Sequence, residues 1–212
     1  KLFIFTSYLS LFLVPLEMKV LTREHFNRWY NLPPYLLSVL LIEVPFQICC
    51  TWSYIGISYW LTSQPFGFRF YLFVLLCTLS TLCAQAWGYF IGATTPTKIA
   101  VFLGPVVACL FSIFGFCIRY RDTPVFFRWL YHLSYYRAGF QSVVYVVYGL
   151  DREDLTCPDN IYYCHYLNPT KFLQEMDITD VNIASNMSLI IVIGCLMHAL
   201  TYITLWFKLN KR

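Results

Sequence analysis

Four long, almost wholly apolar runs decide what this chain can fold into: Tyr35 to Leu61, Arg69 to Ala93, Ile99 to Ile118 and Ser185 to Phe207. Bilayer hydrocarbon is about 30 Å thick and a helix rises about 1.5 Å per residue, so about 20 residues cross it. Hydrocarbon offers no water to a backbone amide, and only helices or closed barrels pair every amide internally. The alternating pattern of barrel strands is absent from these runs. The expected fold class is all-α, a polytopic helical membrane protein. Leu2 to Val14 reads as the end of another span.

A soluble fold is excluded by the scarcity of charge. Only 12% of the residues are charged, against about 25% in ordinary soluble domains. The basic residues stand singly beside apolar blocks and form no basic face, which excludes a nucleic-acid partner. Seven of the eleven acidic residues fall between Asp151 and Asp180, so residues 151–184 form an aqueous loop. Lys1 opens directly onto an apolar run, with neither an initiator Met nor a cleavage site, and the chain is expected to be part of a longer one.

Between the spans, Glu17 to Asn31 places Val20, Leu21 and Phe26 among charges at near-helical spacing, the pattern of an amphipathic helix lying on the membrane surface. Pro33 and Pro34 end it and open the next span. The stretch 122–150 is expected to be re-entrant: Ala138 to Leu150 is apolar but too short to cross, and Arg128, His132 and Arg137 alternate with aromatic rings before it. If it does not cross, the surface helix, the Thr94 to Lys98 turn and the C-terminus share one side.

Lysine and arginine counts tie between the two sides, so cysteine decides the orientation. Cys157 and Cys164 are the two cysteines in the polar loop, at a spacing that a disulfide can close, and disulfides persist on the oxidising side. A zinc pair with His165 is the alternative, short of a fourth ligand. The loop is thus expected to be extracellular or lumenal, with a cytoplasmic C-terminus. Asn186-Met-Ser188 is a glycosylation sequon on the loop side.

Reactive chemistry is sparse. No phosphate loop, nucleophile elbow or zinc-protease pair is present, and no catalytic residue is assigned. Arg23, Glu24 and His25 point in different directions on a helix and suit a surface that meets another domain better than acid-base work. Glu43 is the carboxylate inside a full span; it either reaches interfacial water as a structural group or serves transport and coupling. Phe111, Phe114 and Phe116 on one run, and Phe3 and Phe5 on another, either pack or stack against a flat apolar ligand.

The order of these features resembles the G subfamily of ABC transporters, with its sterol and phospholipid exporters and their insect relatives. The resemblance rests on Arg23-Glu24-His25-Phe26-Asn27-Arg28-Trp29-Tyr30, Glu43-Val44-Pro45-Phe46-Gln47, Leu133-Ser134-Tyr135-Tyr136-Arg137-Ala138-Gly139-Phe140, Tyr148-Gly149-Leu150 and Leu155-Thr156-Cys157, and it covers essentially the whole chain. It implies the C-terminal part of an ABC-2 type transmembrane domain from a half-transporter, active as a homo- or heterodimer that moves apolar molecules by alternating access. The ATP-binding domain, with its ATP and Mg, would lie outside these residues, which hold no cofactor or metal of their own. The surface helix becomes the connecting helix that receives the ATPase stroke, with Arg23, Glu24, His25 and Glu43 in coupling. A substrate cavity at the dimer axis maps to Phe5, Ala108 and Phe111, and an outer plug to Phe116 and Cys117, where the family often has leucine or phenylalanine. A membrane-embedded lipid-modifying enzyme or a non-ABC carrier is the competing reading; the former needs convergent histidines, and the four here lie far apart.

Overall fold

The structure, a computed structural model, describes residues 14, 16–18, 20–62, 64, 66–113, 115, 123–150, 152, 168–178 and 181–210. Phe5, Phe116, Cys117, Cys157 and Cys164 lie outside them, as does all of Leu2 to Val14 but Val14. The described residues are helical and contain no strand.

A surface helix ends at residue 26, and its last carbonyls are met by the chain turning back on itself. The Trp29 amide bonds the Glu24 carbonyl at 3.1 Å and the Arg28 amide that of His25 at 3.1 Å, with Arg28 left-handed at φ 56°. This is a Schellman closure with arginine in the position usually given to glycine. Helix α1 (Leu32–Leu61) follows, with prolines in its first turn, where their missing N–H groups cost nothing. Its interior Pro45 removes one backbone bond.

Helix α2 (Phe68–Thr94) runs back antiparallel to α1 and is buried over about half of its residues, all between Leu76 and Ala93. Small residues explain how: Ser80, Ala84, Ala86, Gly88, Gly92 and Ala93 are buried and let other helices approach closely. A tight turn leads to α3 (Thr97–Ser112), with Pro96 at its N-cap. The helix loosens into a wider π-type turn at Ile113 and Gly115, and the rest of the expected span, to Ile118, lies outside the described residues. Among the described residues, three helices are long and apolar enough to cross a membrane: α1, α2 and α7.

The stretch expected to be re-entrant is broken into a 3-10 turn (Val125–Phe127), α4 (Arg128–Leu133) and α5 (Tyr135–Tyr148), and none of these is long enough to cross. The loop expected at 151–184 contains a further helix, α6 (Pro169–Glu175), capped by Asn168, whose side chain accepts from the Thr170 amide at 3.0 Å. Leu173 and Ile178 of this unit pack with Val144 of α5. The final helix α7 (Ile183–Asn210) begins slightly earlier than the expected span.

Helix α2 is the hub, packing against α7, α5, α1 and α3. Cys83, Ala84 and Ala86 of α2, Phe111 of α3, Tyr135 and Ala138 of α5, and Ile190, Ile193 and Met197 of α7 form the central core. Outward faces stay apolar: Leu41, Ile42, Phe46, Trp60 and Leu61 of α1 are exposed, as hydrocarbon or further helices require.

Candidate functional site

Polar side chains collect along the seam between α1 and α2. Spacing of four on α1 aligns Glu43, Gln47 and Thr51 on one face, and the same spacing on α2 aligns Thr81, Gln85 and Tyr89. Gln85 Nε2 donates to Glu43 Oε2 at 3.1 Å, and the hydroxyls of Thr51 and Thr81 meet at 3.3 Å. Gln47, Thr51, Thr81 and Gln85 are all buried. Among the described residues, Gln47 Nε2 has no partner, an uncommon state for a buried amide. The Tyr89 phenol lies in the field of Glu43 and Glu17. On its other side its ring tilts against His198 of α7, with centroids 6.0 Å apart.

Because α1 begins at Leu32, Glu43 sits eleven residues in, about 16 Å along the helix axis. That depth favours a carboxylate held by protein groups over one that reaches interfacial water.

The surface helix is fastened where this seam begins. Tyr35 of α1 donates to Glu17 Oε2 at 2.5 Å, Tyr30 donates to Glu24, and the Tyr30 and Tyr35 rings stack at 5.8 Å. Burial and the neighbouring Glu24 carboxylate push the Tyr30 phenol up to about 12. Leu21 is buried with Leu32 of α1, Ala93 of α2, and Leu205 and Leu209 of α7. Lys208 Nζ donates to the carbonyls of Ala93 and Thr94, so a cation meets the negative end of α2. Four elements are thus tied at one end of the helix bundle. Arg23, Phe26 and Trp29 remain exposed on the opposite side of the surface helix, Trp29 at 70%, while Glu24 and His25 are half-buried.

Of the residues expected to line a substrate cavity at a dimer axis, the structure describes Ala108 and Phe111. Phe111 is 4% exposed, enclosed by Trp87 of α2 at 5.0 Å and Tyr135 of α5 at 5.5 Å between ring centroids. Within this chain it is a core residue, packed against rings from two neighbouring helices. Ala108, one turn earlier, is half-buried. Sequence reasoning also missed Ser134: its Oγ donates to the Phe111 carbonyl at 3.2 Å and accepts from the Arg137 amide at 3.2 Å, joining the end of α3 to the start of α5. Asn186 lies in the first turn of α7 and donates Nδ2 to Ser142 Oγ of α5 at 3.0 Å.

These features define a class: a helical membrane domain with a polar seam buried between its spans and an amphipathic helix fixed to one face. The chain belongs to the ABC-2 type transporter family, whose model matches residues 2–148. It is 31% identical to ABC transporter G family member 7 of Arabidopsis thaliana over 61% of the chain and 18% of that protein. It is 30% identical to Protein white of Ceratitis capitata over 65% of the chain and 21% of that protein. Against the ABC transporter ATP-binding protein/permease wht-1 of Caenorhabditis elegans, identity is 29% over 60% of the chain and 19% of that protein. The chain therefore spans about a fifth of the length of these relatives.

Proposed function

We propose that these residues are the membrane-spanning part of an ATP-driven G-subfamily half-transporter that exports lipids, sterols or other apolar small molecules by alternating access. It works with a second half-transporter as a homo- or heterodimer, and ATP and Mg bind at a nucleotide-binding domain outside these residues. The observation that carries this reading, beside the family match, is the junction of the surface helix with the ends of α1, α2 and α7. A push from an ATPase domain on exposed Arg23, Phe26 and Trp29 passes through Leu21 and the Glu17–Tyr35 bond into the spans. The seam at Glu43 and Gln85 is the element that repacks in this reading, and the buried Gln47 amide, unpaired among the described residues, would gain a partner in the second packing. ATP binding selects between the two, which is how binding energy becomes movement of an apolar cargo.

The test uses the full-length protein in proteoliposomes, with ATP hydrolysis measured as different sterols and phospholipids are added. An apolar lipid is expected to stimulate hydrolysis, and Glu43→Gln is expected to keep basal hydrolysis while reducing the stimulation. If no apolar lipid stimulates the wild type, the export reading fails. If Glu43→Gln responds as the wild type does, the seam has no part in coupling.

A further inference from the structure

The end of α1 and the start of α2 carry two adjacent cavities. One, of about 260 Å³, lies between α1, α2 and α5, with Ile55, Phe73, Phe140 and Val143 in a mostly apolar wall. The other, of about 240 Å³, shares Ser58 and Phe73 with the first and is lined by Gln64, Arg69 and Arg152. Ser58 lies three residues before the end of α1 and Phe73 five after the start of α2, so the wall the two cavities share falls near the ends of the spans, where hydrocarbon gives way to headgroups. Clustered rings mark the same level: Tyr59 meets Phe70 at 4.7 Å, and Phe70 meets Phe66 at 5.2 Å.

The two arginines are held in place. Arg69 Nη2 donates to the Leu150 carbonyl at 2.8 Å. Arg152 Nη1 donates to the Val147 carbonyl at 2.7 Å and Nη2 to Gln64 Oε1 at 3.3 Å. Among the described residues these bonds engage one N–H of Arg69 and two of Arg152, out of five on each guanidinium. Two oriented guanidinium groups beside an apolar slot match a phosphodiester joined to a hydrocarbon tail. A sterol or diacylglycerol would fill the slot and leave the charges unanswered.

We propose that the two adjacent cavities together hold one glycerophospholipid from the adjoining leaflet, its phosphate on Arg69 and Arg152 and one acyl chain passing Ser58 and Phe73 into the slot between α1, α2 and α5. This site is separate from the Glu43 seam and does not depend on the transport reading. Asp151, Glu153 and Asp154 flank Arg152 in the sequence, outside the described residues. If they neutralise the arginines, the lipid does not bind, and the assay reads that directly.

The full-length protein is placed in phosphatidylcholine nanodiscs containing phosphatidylcholine with a photoactivatable group on one tail, and labelled peptides are mapped by mass spectrometry. Labelling is expected on Tyr54–Ser58 and Phe73–Ser80, in excess of labelling on the outward Leu41 and Ile42, which serve as the bulk-lipid reference. Arg69→Gln with Arg152→Gln should lower that excess by roughly a factor of 10 or more, and Arg69→Lys with Arg152→Lys should restore part of it. Ser58→Phe, which keeps both arginines and fills the slot, should abolish the excess even if the glutamine variant fails to fold. Excess diacylglycerol with the same chains should not compete. No excess in the wild type, unchanged excess in a folded glutamine or Ser58→Phe variant, or equal competition by diacylglycerol would overturn the proposal.

Discussion

Gly139 of α5 lies where that helix presses on α2, and replacing it with alanine gives a clear steric test. A Cβ added there falls 2.5 Å from Ser80 Oγ, 3.4 Å from Ser80 Cβ and 3.9 Å from Ile190 Cδ1. The first distance is well inside contact, and Ser80 Oγ is already committed to the Leu76 carbonyl at 2.8 Å. Either the hydroxyl rotates and gives up that bond, or α5 moves away from α2. A lost neutral bond costs about 1 kcal/mol and overpacking a tight site about 1–3 kcal/mol, so Gly139→Ala should destabilise by roughly 1–3 kcal/mol. Ser80→Ala removes the offending atom and leaves an ordinary 3.4 Å contact. In the double variant most of the cost should disappear, giving a coupling of roughly 1–2 kcal/mol of opposite sign. Denaturant unfolding of the detergent-solubilised full-length protein, followed through all four members of the cycle, measures this. Equal unfolding midpoints for wild type and Gly139→Ala, or strictly additive single effects, would refute the close approach of α2 and α5.

Ser134→Ala removes the N-cap of α5 and leaves the Phe111 carbonyl short of a donor, and unfolding should show a loss of about 1–2 kcal/mol. Phe111→Ala should destabilise by about 3–5 kcal/mol, because the ring is enclosed by Trp87 and Tyr135. A variant that folds normally and changes only its lipid response would instead place Phe111 in an open slot. Asn186 should stay unmodified, since its amide nitrogen is bonded to Ser142 inside a helical turn; a mobility shift after glycosidase treatment would contradict that placement.

The spans were legible because the bilayer demands long apolar runs, and α1, α2 and α7 follow from that alone. The helix α6 left a readable signal that went unused: Asn168-Pro169-Thr170 supplies a capping side chain followed by a first-turn proline. The central place of α2 was also written in its small residues, from Ser80 to Ala93. Phe111 illustrates what periodicity cannot supply. Its own helix offers an aromatic face, but whether that face meets a ligand or the chain depends on Trp87 and Tyr135, which are remote in sequence. The partners of Glu43 were hidden for the same reason, because Gln85 is 42 positions away and only the antiparallel packing of α1 on α2 brings it near.

Short epitopes inserted after Arg28 and after Gln64, one at a time in the full-length protein, test most directly how the chain threads the membrane. The coupling route requires the surface helix to face the ATPase domain in the cytosol, and α1 then carries the 62–67 connection to the other side. In intact cells with the protein at their surface, antibody is expected to reach the Gln64 insertion, and to reach the Arg28 insertion only after permeabilisation. Both epitopes appearing on one side, or the Arg28 epitope alone being accessible from outside, would contradict the threading and the route by which ATP is proposed to drive export.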